Sequence, residues 1–335
     1  MKRTVTSLII LTIALILLFL MNLFIGQVDI PCTQVIDILT GREAPSEWRY
    51  ILLNNRLPQA CTAVLAGMSL SVSGLLLQTT FRNPLAGPSI FGVSSGAALG
   101  AAVVMLLIPQ LSIINSQLSI LNYSTVVGAF VGALLVTVVI FMFSLRIGSH
   151  TALLIVGIMI GYLASSAILL LNFFATEQGV HSYLIWGMGD FSGVSVEQMP
   201  FFALLTIVLL MTVAFFPKSL NLMLMGDAYA ENLGVNSRRM RIVLLLTTSL
   251  LTAATTAFCG PIAFIGLAVP HLSRLVFNTS DHRWLFPATL LMGSCVCLMC
   301  NLIATGLPQV GVIPLNAITP IVGAPVVIYI LMHRR

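Results

Sequence analysis

Ten apolar runs, separated by polar or Gly/Pro breaks, recur along this chain. A helix needs about 20 such residues to cross the hydrocarbon core of a bilayer. The runs fall at about 6–26, 58–80, 89–108, 120–143, 152–174, 199–216, 241–258, 261–277, 284–304 and 313–332. Those at 89–108 and 261–277 are short and interrupted by glycine, so their ends are the least defined. Only 7% of the 335 residues are charged and 58% are hydrophobic, whereas a soluble domain carries about 25% charged residues. The chain therefore reads as an all-α membrane protein: one transmembrane domain over 1–335, with about ten transmembrane helices. The first run follows Met1-Lys2-Arg3 with no small-residue cleavage site behind it, so it reads as a retained span.

Ten spans place both termini on one side, and the positive-inside rule says which. With the termini inside, Lys2, Arg3, Arg82, Arg146, Lys218, Arg238, Arg239, Arg241, Arg274, Arg283, Arg334 and Arg335 face the cytoplasm, 12 of the 15 basic residues. Arg42, Arg49 and Arg56 face out, with Asp29, Asp37, Glu43, Glu47, Glu177, Asp190 and Glu197. The net charge of +5 thus belongs to juxtamembrane Lys and Arg. It points to anionic membrane lipid and not to nucleic acid. Of the six cysteines only Cys32 lies outside, so no disulfide framework follows. Cys295, Cys297 and Cys300 read as small packing residues, since Cys295 and Cys297 point to nearly opposite sides of a helix.

Two outer loops are long. Residues 27–55 are polar and carry Pro31 and Pro45, and 176–198 contain an apolar-aromatic stretch, His181 to Phe191, too short to span. That stretch predicts a surface or re-entrant helix over the outer mouth. A faint repeat also exists: Gly87-Pro88-Ser89-Ile90-Phe91-Gly92 follows the second run and Gly260-Pro261-Ile262-Ala263-Phe264-Ile265-Gly266 the seventh. Halves offset by five spans are inverted repeats, a plan of many transporters.

No Asp, Glu or Lys falls well inside a run. Ionisable groups in the bilayer usually mark proton relays or ion sites, so a proton-coupled transporter is disfavoured. A sodium-coupled carrier using carbonyls and hydroxyls stays open. The chain has no His-Glu-x-x-His, and no serine elbow of the Gly-x-Ser-x-Gly type is matched with a partner base, so no intramembrane hydrolase is indicated. Its only lysines are Lys2 and Lys218, and neither ends a phosphate-binding loop. Uphill transport would then draw its energy from another subunit.

The loop at 217–240 is the natural contact for such a subunit. Asp227 is placed to cap a short helix over 228–233, Gly234 to stop it, and Asn236 or Ser237 to cap the next. A solvated connector fits the pattern alone; the missing power source favours a docking element for a cytoplasmic partner.

At this point the motifs resemble a known family. Arg56-Leu57-Pro58, Ala66-Gly67, Ser73-Gly74, Arg82-Asn83-Pro84-Leu85-Ala86-Gly87-Pro88 and Gly92-Val93-Ser94-Ser95-Gly96-Ala97 stand in the first half. Leu233-Gly234-Val235, Gly260 through Gly266 with Pro270-His271-Leu272-Ser273-Arg274, Ile313-Pro314 and Gly323-Ala324-Pro325 stand in the second. Together they resemble the FecCD/BtuC-type permeases of iron–siderophore, haem and cobalamin ABC importers, over nearly the whole chain. The resemblance implies a BtuC-like, type II importer permease that forms a homodimer in a bacterial inner membrane. It is not itself an enzyme and holds no cofactor or metal, because ATP and Mg belong to two ATPase subunits. By resemblance, these dock on Gly226, Asp227, Ala228, Ala230, Glu231, Leu233, Gly234, Arg238 and Arg239, and a periplasmic binding protein docks on the outer face. The cytoplasmic gate falls at Ser149, His150 and Thr151, and the helix at His181–Phe191 assists it.

The chain departs from the pattern outside. Arg56 keeps one docking arginine, but Gln59 and Thr305 stand where others are common, and Asn301 replaces an acid; Arg49 and Arg42 are candidate substitutes. His150 could touch a haem or chelated metal, or merely cap the fifth span, and His271 reads as a local hydrogen-bonding group. The cargo is not legible beyond a bulky chelate passing between neutral Ser, Thr, Asn, Met and aromatic side chains. A self-sufficient secondary transporter or channel for a bulky neutral solute is the alternative, and a membrane scaffold the third reading.

Overall fold

A helix overlies each apolar run. The computed structural model describes residues 2–107, 118–147, 149–306 and 311–333. Arg334 and Arg335 lie outside the described residues. The run helices are α1 (Lys2–Phe24), α4 (Leu57–Phe81), α5 (Val93–Ala102), α6 (Leu118–Arg146), α7 (His150–Phe174), α9 (Met199–Ala214), α12 (Ser237–Cys259), α13 (Ile265–Phe277), α14 (His282–Thr305) and α15 (Leu315–His333). Shorter helices join them: α2 (Cys32–Leu39), α3 (Ser46–Ile51), α8 (Glu177–Gly187), α10 (Pro217–Met225) and α11 (Asp227–Asn232). Among the described residues, six helical stretches are long and apolar enough to cross a membrane, and α9 with α10, bent by 59°, makes a seventh. α13 and the α5 and α15 segments are shorter.

Local chemistry explains the ends. Ser149, Thr176 and Asn236 cap α7, α8 and α12, their side-chain oxygens accepting from Ala152 N (3.4 Å), Gly179 N (3.2 Å) and Arg239 N (2.9 Å). Pro217 opens α10, where its missing N–H costs nothing. That proline divides the stretch after α9 into a further helix, which the apolar pattern alone does not resolve. The 27–55 loop is also more ordered than its polarity suggests. There α3 runs through a π-helical turn, Leu52–Arg56, into α4, giving one continuous helix over Ser46–Phe81. The helix expected at His181–Phe191 forms four residues earlier, as α8, and Phe191 instead turns into the core with no exposed surface.

Two halves share one neighbour pattern. α4 packs on α13 and α14, and α12 packs on α5 and α6. Within the halves, α5 meets α6 and α7 as α13 meets α14 and α15. The loops match as well: α4 and α12 end in residues of positive φ, Arg82 (46°) and Gly260 (72°), and positive φ recurs just before α5 and α13, at Gly92 (71°) and Phe264 (67°). The Gly-Pro repeat is thus a repeat of packing. Phe264 is bulky for that conformation. Gly323 of α15 makes room for it, since a Cβ there would stand 2.9 Å from the Phe264 Cβ.

Helices approach most closely where glycines meet. Gly96 and Gly100 of α5 face Gly128 and Gly132 of α6, Gly67 of α4 faces Gly293 of α14, and Gly74 faces Gly266 of α13. In lipid no hydrophobic effect drives helix on helix, so small residues that admit close backbone contact take its place. Hydroxyls fill the remaining seams: Ser71 Oγ lies 3.1 Å from Thr289 O, and Ser294 Oγ donates to Val64 O at 3.1 Å. The consequence for exposure is plain. α4, α12 and α14 are mostly buried, whereas α1, α6 and α7 present most of their surface outward.

A side chain at Gly132 would strike the backbone of Gly96 and Gly100. Gly132→Leu is expected to cost about 1–3 kcal/mol and to lower the melting temperature of the detergent-solubilised protein. Gly187→Ala, with open space around it, is the control and should leave melting unchanged.

Candidate functional site

The basic residues between 217 and 241 gather at one end of the bundle with the ends of α4 and α6 and the start of α14. Asp227 is the centre of the contact. The sequence suggests that Asp227 caps a helix, and the structure corrects this. Gly226, at φ 130°, holds the cap position and α11 runs Asp227–Asn232, so Asp227 is the first residue inside the helix. Its carboxylate instead takes two arginines: Arg82 Nη2 on one oxygen and Arg241 Nη2 on the other, the latter at 2.8 Å. Two guanidinium partners outbid a single backbone N–H, because they bring opposite charge to the carboxylate as well as hydrogen bonds. Arg82 also donates through Nε to Met223 O at 3.1 Å. The left-turned end of α4 is therefore fastened to α10, α11 and α12.

The other residues expected for partner docking divide by exposure. Ala230 is fully buried and seats α11, while Ala228, Glu231, Leu233, Gly234, Arg238 and Arg239 are exposed. Gly234 (φ 85°) ends the turn, donating to Glu231 O at 3.0 Å. Met225, Tyr229 and Leu233 stand four residues apart and are 69%, 49% and 55% exposed. Arg238 Nη2 donates to Leu145 O at 3.0 Å, near the end of α6. That bond sets the segment beside the expected gate turn. There Ser149 caps α7 and Thr151 is exposed. His150 opens α7; its side chain lies outside the described residues.

The motifs of the two halves meet close by. Gln78 Nε2 donates to Leu267 O (3.2 Å), Arg274 Nη1 donates to Gln78 Oε1 (2.6 Å), and His271 Nε2 pairs with Pro84 O (2.7 Å). Asn83 Oδ1 accepts from Leu85 N at 2.9 Å and shapes the turn after α4. Pro270 is buried within α13, and Ser94, Ser95 and Gly96 begin α5 against α6 and α7. Pro314 and Pro325 flank the start and middle of α15. Two side chains that local sequence pattern does not single out prove central. Asn221 and the buried His282 join α10 to α14. Asp281 caps α14 by accepting from Arg283 N at 3.0 Å, and chiefly that bond holds its carboxyl below the ordinary carboxylate range.

At the opposite end a cavity of about 160 Å³ is lined by Asn22, Gln27, Arg56, Gln59, Asp190 and Thr305, among others. Three expected docking positions, Arg56, Gln59 and Thr305, thus share one wall. Arg56 is only 5% exposed and donates from Nη1 to Leu23 O (2.8 Å) and Phe24 O (2.9 Å), and from Nη2 to Val28 O. It satisfies the open carbonyls ending α1. Arg49 is exposed on α3, and Arg42 pairs with Asp37 at 3.5 Å. Asn301 donates to Asn22 Oδ1 at 2.7 Å. Among the described residues, no group of three or more His, Cys, Asp or Glu is placed to hold a metal.

Residues 14–333 match the FecCD transport family. The chain belongs to that family. Among relatives, this FecCD chain is 34% identical to the hemin transport system permease protein HmuU of Yersinia pestis, covering 85% of this chain and 84% of that one. It is 31% identical to the Fe(3+)-citrate import system permease protein YfmE of Bacillus subtilis, over 98% and 96%. It is 30% identical to the vitamin B12 import system permease protein BtuC of Shigella boydii, over 100% and 97%. A solved metal-chelate type ABC transporter in an inward-facing conformation superimposes with a TM-score of 0.83 at 26% identity, over 98% and 99% of the two chains.

Arg82 and Asp227 are partly exposed, at 39% and 30%, so their pairing contributes about 1 kcal/mol at most and weakens in salt. Asp227→Asn should loosen the segment. Trypsin cleavage after Arg238 or Arg239 is expected to quicken about fivefold, read by mass spectrometry, and the gain should shrink at high salt.

Proposed function

We propose that this FecCD chain is the permease subunit of an ABC importer that passes a metal chelate (ferric siderophore, haem or cobalamin) into the cytoplasm by alternating access. It works as a homodimer in the inner membrane, with both termini and residues 217–240 cytoplasmic. Two ATPase subunits, which bind ATP and Mg, dock on Gly226 through Arg239. A periplasmic binding protein docks on the opposite face, around Arg49 and the cavity beside Gln59 and Thr305. Since Arg56 is occupied with the carbonyls of α1, its part in docking is to hold that face in shape. The turn Ser149–Thr151 closes the inner end of the path. The cargo class follows what the relatives' names say of those proteins.

One observation carries this reading. The α10–α11 segment turns Met225, Tyr229 and Leu233 outward while Asp227 and Arg82 tether its other side to α4. An exposed apolar row beside charges is the usual dress of a docking surface. Its polar anchor gives a partner's push a route into the bundle.

The test is purification through a tag on this chain from its own host's membranes. An ATPase is expected to accompany it, with hydrolysis absent from the isolated chain. Vesicles of the complex with its binding protein should take up hemin, ferric citrate or cyanocobalamin only with ATP. Replacing 227–234 by a flexible Gly/Ser linker should abolish ATP-driven uptake while the two copies still assemble. Uptake that survives the replacement, or uptake by the chain alone on an ion gradient, would overturn the proposal.

A further inference from the structure

Between α10 and the bundle lies a polar joint set in an apolar seam. Leu220 and Met223 of α10 are buried among Leu75 and Leu76 of α4 and Leu285 and Phe286 of α14. Such contacts resist separation but are non-directional, so they do not fix register. Asn221 supplies direction. Its Oδ1 accepts from His282 N at 2.9 Å and lies 2.8 Å from His282 Nδ1, and its Nδ2 donates to Asp281 Oδ1 at 2.6 Å.

These partners fix the ring's chemistry. A backbone N–H must meet the amide oxygen and a carboxylate must meet the amide nitrogen, so Asn221 has one orientation. His282 Nδ1 then carries the proton donated to Asn221. Nε2 of the neutral ring is left as the acceptor beside the Thr79 hydroxyl of α4, 2.8 Å away, which shares its one proton with Leu75 O, also at 2.8 Å. His282 has no exposed surface. The imidazole thus joins α10, α14 and α4, and Thr79 stands one turn before Arg82, the residue paired with Asp227.

We propose that His282 is a positioning residue through which displacement of α10 and α11 passes into α4 and α14. This rests on the reading that an ATPase docks on that segment. Breaking either ring bond leaves a buried polar group without its partner and loosens α10 on its apolar seat, where Asn221 keeps only its remaining bonds to His282 N and Asp281 Oδ1.

The experiment is hydrogen exchange on the tag-purified complex in lipid nanodiscs, with and without Mg-ATP and vanadate. In the parent, nucleotide is expected to change exchange at 217–234 and also at the inner ends of α4 and α14. In His282→Gln, whose amide oxygen can stand in for the accepting Nε2 but which offers no donor at Nδ1, and in Asn221→Leu, the change at 217–234 should persist. The changes in α4 and α14 should fall by about fivefold or more. His282→Asn, which reproduces Nδ1, should restore the response of α14 but not that of α4. The proposal is overturned if His282→Gln and Asn221→Leu both transmit as the parent does. It is overturned equally if they raise exchange in α4 and α14 to the same extent with and without nucleotide, the mark of a merely structural role. No nucleotide effect at 217–234 in the parent would instead overturn the docking reading, and this proposal with it.

Discussion

The close approach of backbones at paired glycines is the interaction on which this structure depends. Lipid tails are as apolar as leucine, so burying leucine against leucine gains little there. What remains is dispersion at short range and hydrogen bonds between helices. Gly67 with Gly293, Gly74 with Gly266, and the double pair on α5 and α6 bring main chains near enough for both. Once those contacts exist, Ser71, Ser294 and Gln78 reach carbonyls on the neighbouring helix. The central helices α4, α12 and α14 are accordingly rich in small and hydroxyl residues, and the outer ones in large aliphatic residues.

Charge has been moved to the two ends, and each end uses it differently. Arg56 is spent on carbonyls at the close of α1, next to the cavity shared with Gln59 and Thr305. At the basic end, Arg82, Asp227 and Arg241 make a three-residue clamp, Arg238 reaches α6, and Asn221 with His282 ties α10 to α14 and α4. A rigid interior between two polar ends suits a molecule whose moving parts are whole helices, because packed cores shift between discrete arrangements and do not deform smoothly.

The sequence made the helices legible because each run of apolar residues is a local signal, one that needs no partner. The motif residues were legible through resemblance. Pairings were not. Arg56 meets Leu23 across 33 positions, Asp227 meets Arg82 across 145, and His282 meets Thr79 across 203. No window along the chain contains both members. Asp227 is the clearest case: the local pattern offers a cap, and Arg241 on the next helix with the distant Arg82 offers more. In the sequence Thr305 and Gln59 mark places where an arginine is missing, and only the fold puts them beside Arg56 in one cavity. The split of α9 from α10 was hidden in the same way, since Pro217 marks a helix start only once the chain is seen to bend there.

The unbroken helix from Ser46 to Phe81 has 36 residues. At a rise of about 1.5 Å per residue it is roughly 54 Å long, against a hydrocarbon layer of about 30 Å. Such a rod is longer than that layer by roughly 24 Å, and α3 with its π-helical turn is its more polar end. Its far tip is Arg82, gripped by Asp227. A few degrees of tilt imposed on the polar end sweeps the opposite tip through several ångströms, so the two faces of the membrane are in mechanical contact through a single piece of secondary structure.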